Sequence, residues 1–223
     1  MDGRFYTFGC YLTRLARMMC LDVKTLHLDR LHGTGPFLIA CTHMGNLEPV
    51  LLSSMMTRPV RWVARKEYYR TWIGNQFLTR CGTIPIQRTG QPPVKAIHRS
   101  VQHLHNGEIV GIFPEGGVQR RKQCIFRRGV NRGGVSVIAM RANVPIVPVV
   151  MLGTEKFNQI EPWLPGRAAK LWISVGEPIA APACTRVSRR RVRLALTETI
   201  TERFVSLYQQ TLHHFNLPDE KVP

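Results

Sequence analysis

Four short stretches carry residues whose types and spacing suit chemistry. In Thr42-His43-Met44-Gly45-Asn46-Leu47-Glu48 an imidazole and a carboxylate lie five residues apart, directly after the apolar run Phe37–Cys41. Were both helical, they would sit about 140° apart around the axis. With His43 just outside a helix that contains Glu48, the chain can fold back so that the carboxylate meets one ring nitrogen. Such a contact fixes the tautomer and leaves the other nitrogen as a base near neutral pH. It also stabilises the imidazolium that forms when the base takes a proton. A helix-capping cluster would use the same residues, so this pair does not decide the matter alone.

The second stretch, Gly82-Thr83-Ile84-Pro85-Ile86-Gln87-Arg88, reads as a strand with Arg88 at its carboxyl end. A guanidinium there either stays solvated or grips a phosphate through two parallel hydrogen bonds. The third, Gly111-Ile112-Phe113-Pro114-Glu115-Gly116-Gly117, is a strand running into a glycine turn. Gly116 and Gly117 let backbone N–H groups come close to an anion or a thioester oxygen. Arg120-Arg121-Lys122 and Arg127-Arg128-Gly129 follow, as a solvated basic loop or as the countercharge for that anion. The fourth, Val144-Pro145-Ile146-Val147-Pro148-Val149, is an apolar strand bracketed by prolines, and a core strand accounts for it.

The elements that must position these residues alternate. Strands are expected at Val23–Leu31, Phe37–Cys41, Val60–Ala64, Gly82–Gln87, Glu108–Phe113, Pro145–Met151 and Lys170–Val175. Between them fall helices from Asn46, as cap, to about Met56, and at Tyr68–Thr79, Pro93–His105 and Gly133–Arg141, with a long one at Val187–Phe215. The pattern predicts a single α/β domain with a mostly parallel sheet covered by helices. In such sheets the site lies beyond the carboxyl ends of the strands, where the unusual residues cluster. At the front, Phe5, Phe8, Leu12, Leu15 and Met19 recur at helical spacing beside Arg4, Arg14 and Arg17. That amphipathic helix either packs on the domain or lies in a lipid interface.

Composition narrows the partners. The 223 residues carry 31 Lys and Arg against 14 Asp and Glu, a net charge of +17. A surplus of that size calls for an anionic partner: a bilayer, a phosphorylated substrate or nucleic acid. Neither a zinc-finger spacing nor an RNA-binding aromatic block is present, so nucleic acid is set aside. The six cysteines show no C-x-x-C pair and read as reduced, largely buried thiols. His98, His103 and His105 read as surface histidines rather than metal ligands. Arg186, Arg189, Arg190, Arg191 and Arg193 crowd the start of the last helix against its dipole, which suggests an external anion. No uncharged run is long enough to cross a bilayer, and a soluble or peripheral chain is expected.

In order and spacing the four stretches resemble the glycerolipid acyltransferase superfamily. Its blocks read N-H-x4-D, G-x-x-x-I-x-R, F-P-E-G-T-R-S and V-P-I-V-P-V. Here they stand as T-H-M-G-N-L-E, G-T-I-P-I-Q-R, F-P-E-G-G-V-Q and V-P-I-V-P-V, and Phe126–Gly129 and Val175–Ile179 are similar to later landmarks. The resemblance runs from about Val23 to Ile179. It implies that His43 deprotonates an acceptor hydroxyl, which attacks the thioester of acyl-CoA or acyl-carrier protein. It further implies Glu48 as the orienting acid, Arg88 as a phosphate grip and Glu115 as an acid of the acceptor site, with no metal or tightly bound cofactor. The implied acceptor is a lysophospholipid of the 1-acylglycerol-3-phosphate kind. Glu48 stands where Asp is usual, as in related lipid A secondary acyltransferases. Gly117-Val118 replace Thr-Arg, so either Arg120 or Arg121 supplies the missing charge from a shifted loop, or the acceptor is not a glycerol phosphate. The expected layout is a membrane-surface helix at 1–22 and an acyltransferase domain at 23–223, peripheral on the cytoplasmic side of an anionic membrane. A catalytically silent lipid-binding relative is the alternative.

Overall fold

The computed structural model describes residues 1–87, 93–119, 123–155, 169–182 and 189–219. Its strands are β1 (Leu21–Leu26), β2 (Leu38–Cys41), β3 (Val60–Arg65), β4 (Ile84–Ile86), β5 (Ile109–Ile112), β6 (Ile146–Leu152) and β7 (Ala169–Val175). They form one sheet in the order β1-β7-β6-β2-β5-β3-β4, parallel at every junction except β6 with β7. Every residue of β2 and β6 is buried. Strands covered on both faces have no solvent side to mark with polar residues, hence their uninterrupted apolar runs. β1, at the edge, carries the charged Asp22 and Lys24 instead.

The helices are α1 (Gly3–Cys20), α2 (Glu48–Met55), α3 (Trp72–Arg80), α4 (Val94–His105), α5 (Gly134–Ala142) and α6 (Arg189–Phe215). One face of the sheet is closed by α4, α5 and α6 through Leu104, Ile138, Ile200, Phe204 and Tyr208. The other holds Leu51, Leu52, Met56 and Trp62, with α1 laid across α2. Among the described residues no helix is long and apolar enough to cross a membrane.

Several boundaries differ from expectation for local reasons. α2 begins at Glu48 with Leu47, not Asn46, at its cap position. The Glu48 carboxylate instead turns back onto the amides of Met44 and Gly45. The single helix expected at Tyr68–Thr79 is broken into a one-turn helix, Lys66–Tyr69, and α3, because the Thr71 hydroxyl accepts the Gly74 amide 3.1 Å away and restarts the chain. Val23–Leu31 is a strand to Leu26 and then a one-turn helix, Leu28–Leu31, entered through His27 at φ 55°. The N-terminal helix stops at Cys20, and β1 starts at the next residue. Val187 and Arg186 lie outside the described residues.

Candidate active site

The turn after β2 brings imidazole and carboxylate together. His43 lies outside α2, and its Nδ1 sits 3.4 Å from Glu48 Oε2, within ion-pair distance; neither atom has a hydrogen-bond partner among the described residues. The other oxygen of Glu48 is saturated: Oε1 accepts from the amides of Met44 and Gly45 and, at 2.8 Å, from the Thr154 hydroxyl. A fully buried carboxylate needs such donors to remain charged. One oxygen is thus fastened to the protein and the other is aimed at the ring. Gly45 is required for this turn, since a Cβ there would meet the Thr154 carbonyl oxygen at 2.5 Å.

A second buried carboxylate braces the backbone of the same histidine. Glu115, in the turn after β5, accepts the His43 amide at 2.8 Å with Oε2 and the Ile125 amide at 3.0 Å with Oε1. The Gln119 amide donates to the His43 carbonyl, so the loop grips the residue from both ends of its backbone. Burial pushes the Glu115 carboxyl up to about 8; the two amides pull it back down and the charge of Glu48 adds to the rise. The turn passes through Gly116 at φ +76°, where a Cβ would strike the Arg132 side chain. Arg132 is otherwise exposed and donates through Nε to the Glu115 carbonyl at 3.1 Å, with no partner for its two terminal nitrogens among the described residues.

The imidazole is held in plane by stacked rings. Phe113 lies 4.0 Å from it at an interplanar angle of 18°, and Trp62 lies 5.2 Å beyond Phe113. Trp62 is fixed in turn by its indole N–H on the Ser53 hydroxyl and by Gly111, whose missing side chain leaves room for the ring. His43 forms part of the wall of an apolar cavity of about 620 Å³ that runs beneath α1, past Phe5, Gly9, Val50, Val63 and Leu78. That size is typical of a site enclosing a small ligand. The imidazole therefore faces an apolar space while its acid partner is sealed behind it.

Of the residues singled out in the sequence, the structure gathers His43, Glu48, Glu115, Gly116 and Gly117 at one corner of the sheet. Glu115 is fully buried and spends its carboxylate on backbone amides. Arg88, Arg120 and Arg121 lie outside the described residues. Arg127 and Arg128 are committed to Asp219 with Tyr208, and to Glu198. Thr154, Arg132, Phe113 and Trp62 were not anticipated. Thr154 could have been found, because it follows β6 at the carboxyl end of the sheet, the same position that flags His43 and Glu115. Arg132 has no linear signal.

The chain matches the family described as Acyltransferase over residues 22–152. It is 28% identical to the 1-acyl-sn-glycerol-3-phosphate acyltransferase of Bacillus subtilis over 83% of this chain and 87% of that protein. Against the N-acylphosphatidylethanolamine synthase of Arabidopsis thaliana the identity is 30%, over 65% of this chain and 56% of that protein. The crystal structure of the 1-acyl-sn-glycerophosphate acyltransferase from Thermotoga maritima shares the fold, with a TM-score of 0.61 at 17% identity, covering 89% of this chain and 78% of that one. An imidazole–carboxylate pair on the wall of an apolar cavity, in a chain matched by this family over more than half its length, leads to one statement: the chain belongs to the Acyltransferase family and is an acyltransferase.

Proposed function

We propose that the chain transfers a fatty acyl group from acyl-CoA or acyl-carrier protein to the hydroxyl of a lysophospholipid of the 1-acylglycerol-3-phosphate kind. The observation that carries this reading is the His43–Glu48 pair, with one ring nitrogen turned to its acid and the ring on the wall of the apolar cavity. Nε2 takes the proton of the acceptor hydroxyl as its oxygen attacks the thioester carbonyl carbon. Glu48 stabilises the imidazolium so formed. The tetrahedral intermediate then collapses, the C–S bond breaks, and the departing thiolate takes the proton back from Nε2. The reaction written this way needs no metal and no bound cofactor. The cavity suits the acyl chain, and a smaller recess of about 220 Å³ between α1 and α2, sharing Leu12, Thr13 and Val50 with it, extends the apolar space. The Arg132 guanidinium, anchored beside the glycine turn, is suited to the acceptor phosphate in the role that Arg120 or Arg121 would otherwise fill. α1, with Phe8, Leu15, Met18 and Met19 exposed, suits a helix lying in the interface of an anionic membrane, peripheral on its cytoplasmic side.

The test is mass spectrometry of products from a mixed lysolipid pool supplied with acyl-CoA or acyl-carrier protein. One lysophosphatidate-derived diacyl product, absent with His43→Ala at an unchanged melting temperature, is the expected result. Undiminished transfer by His43→Ala would refute the reading. Vesicle binding without release of the free thiol carrier would point instead to a silent lipid-binding relative.

A further inference from the structure

We infer that α3, with the one-turn helix before it, is a second element that enters the bilayer, and that the acyl cavity opens into lipid between it and α1. Trp72 is 76% exposed, Ile73 74%, Tyr68 53% and Phe77 44%, four large apolar or aromatic side chains within ten positions. Single exposed apolar residues are unremarkable, but a contiguous group marks an interaction surface. This group is continuous with the outer face of α1. Phe5 meets Phe77 edge to face at 5.9 Å, the Arg80 guanidinium lies over Phe5, and the Asp2 amide donates to the Arg80 carbonyl. The joined face therefore runs from Met19 through Phe8 to Trp72.

The occupant follows from two further observations. Leu12, Tyr68 and Phe77 belong both to the cavity wall and to the exposed set, so the cavity opens on this face. An acyl chain entering there from water would cross an apolar surface that has no reason to stay bare; from a bilayer it would never leave hydrocarbon. Exposed Arg65, Lys66, Arg70 and Arg80 border the group with Glu67 as the only acid between positions 60 and 87, which complements anionic headgroups. Tryptophan with flanking cations is the composition of a lipid–water interface.

The inference rests on the acyltransferase reading for its meaning, and its test separates the two. Full-length protein is bound to phosphatidylcholine–phosphatidylglycerol vesicles carrying brominated acyl chains, and its tryptophan emission is compared with that of Trp72→Phe. The expected result is a quenched component in the wild type that Trp72→Phe lacks. A double variant, Trp72→Ser with Ile73→Ser, should lose vesicle affinity by about tenfold or more, yet keep its rate on a short-chain, water-soluble acceptor. Two largely exposed side chains are being changed, so its melting temperature should match the wild type. Unquenched Trp72 in vesicle-bound protein would overturn the inference. So would a dimer in sedimentation that the double variant abolishes, since the face would then belong to a second copy. Quenching without transfer to any acceptor would sink the enzymatic reading and leave this one standing. Binding that survives Leu15→Ser with Met19→Ser but not the α3 variant would leave α3, rather than α1, as the lipid-binding element.

Discussion

The two oxygens of Glu48 have different duties, and that division makes the residue testable. Glu48→Gln keeps an acceptor for the Met44 and Gly45 amides and turns an NH2 toward His43 Nδ1, which forces the ring into the tautomer with its proton on Nε2. A base protonated at the working nitrogen is no base; turnover should fall about 10³-fold or more at an unchanged melting temperature. Thr154→Val removes one of three donors from the same buried oxygen. A lost bond to a buried charge costs about 1–3 kcal/mol, so both a lower urea midpoint and a roughly tenfold slower turnover are expected. Glu115 leads to a pH prediction. Its carboxyl lies at about 8 in the folded chain, against about 4.3 when unfolded. Between those values the folded state binds more protons, so this group's contribution to stability is lost as pH rises through that window. Urea unfolding at a series of pH values should show that decline in the wild type and a flatter profile in Glu115→Gln.

At the scale of elements, α1 roofs the cavity, and Gly9 is where the roof has no side chain; a Cβ built there meets nothing within 4 Å. Gly9→Leu should fill the space, improve the helix by about 0.5–1 kcal/mol, and shift the preferred acyl donor to shorter chains. Competition between long and short thioesters, read by product mass, checks this. The strands were legible before any coordinates because β2 and β6 are buried on both faces and so read as unbroken apolar runs. The fold-back of Glu48 on His43 was legible for the geometric reason that a helical pair would diverge. The break before α3 was not, since it turns on a single hydroxyl choosing the Gly74 amide. Thr154 stands 106 residues from Glu48, and Arg132 returns to the glycine turn 17 residues after leaving it. Linear spacing carries no record of such partners; the sheet order does.

For the whole molecule, the charge of +17 has a direction as well as a size. Asn131 donates to the Thr197 carbonyl and hydroxyl-to-hydroxyl contact joins Ser136 to Thr197, so the third turn of α6 packs beside the start of α5. Exposed Arg189, Arg190, Arg191 and Arg193 fill the two turns of α6 that lead up to this contact. Each cation near an anionic surface is worth about 1 kcal/mol. Replacing the first three by serine should weaken binding to phosphatidylglycerol vesicles on the order of 100-fold and flatten its dependence on salt. Cosedimentation across a sodium chloride series measures both. One junction limits how all this moves. α1 ends at Cys20 and β1 begins at Leu21, paired along its length with β7. With no linker between them, any lift of α1 must turn on the Cys20–Leu21 backbone, directly at the edge of the sheet. The ceiling of the groove is thus strapped to the edge of the sheet, and whatever loosens that edge also loosens the roof over the acyl chain.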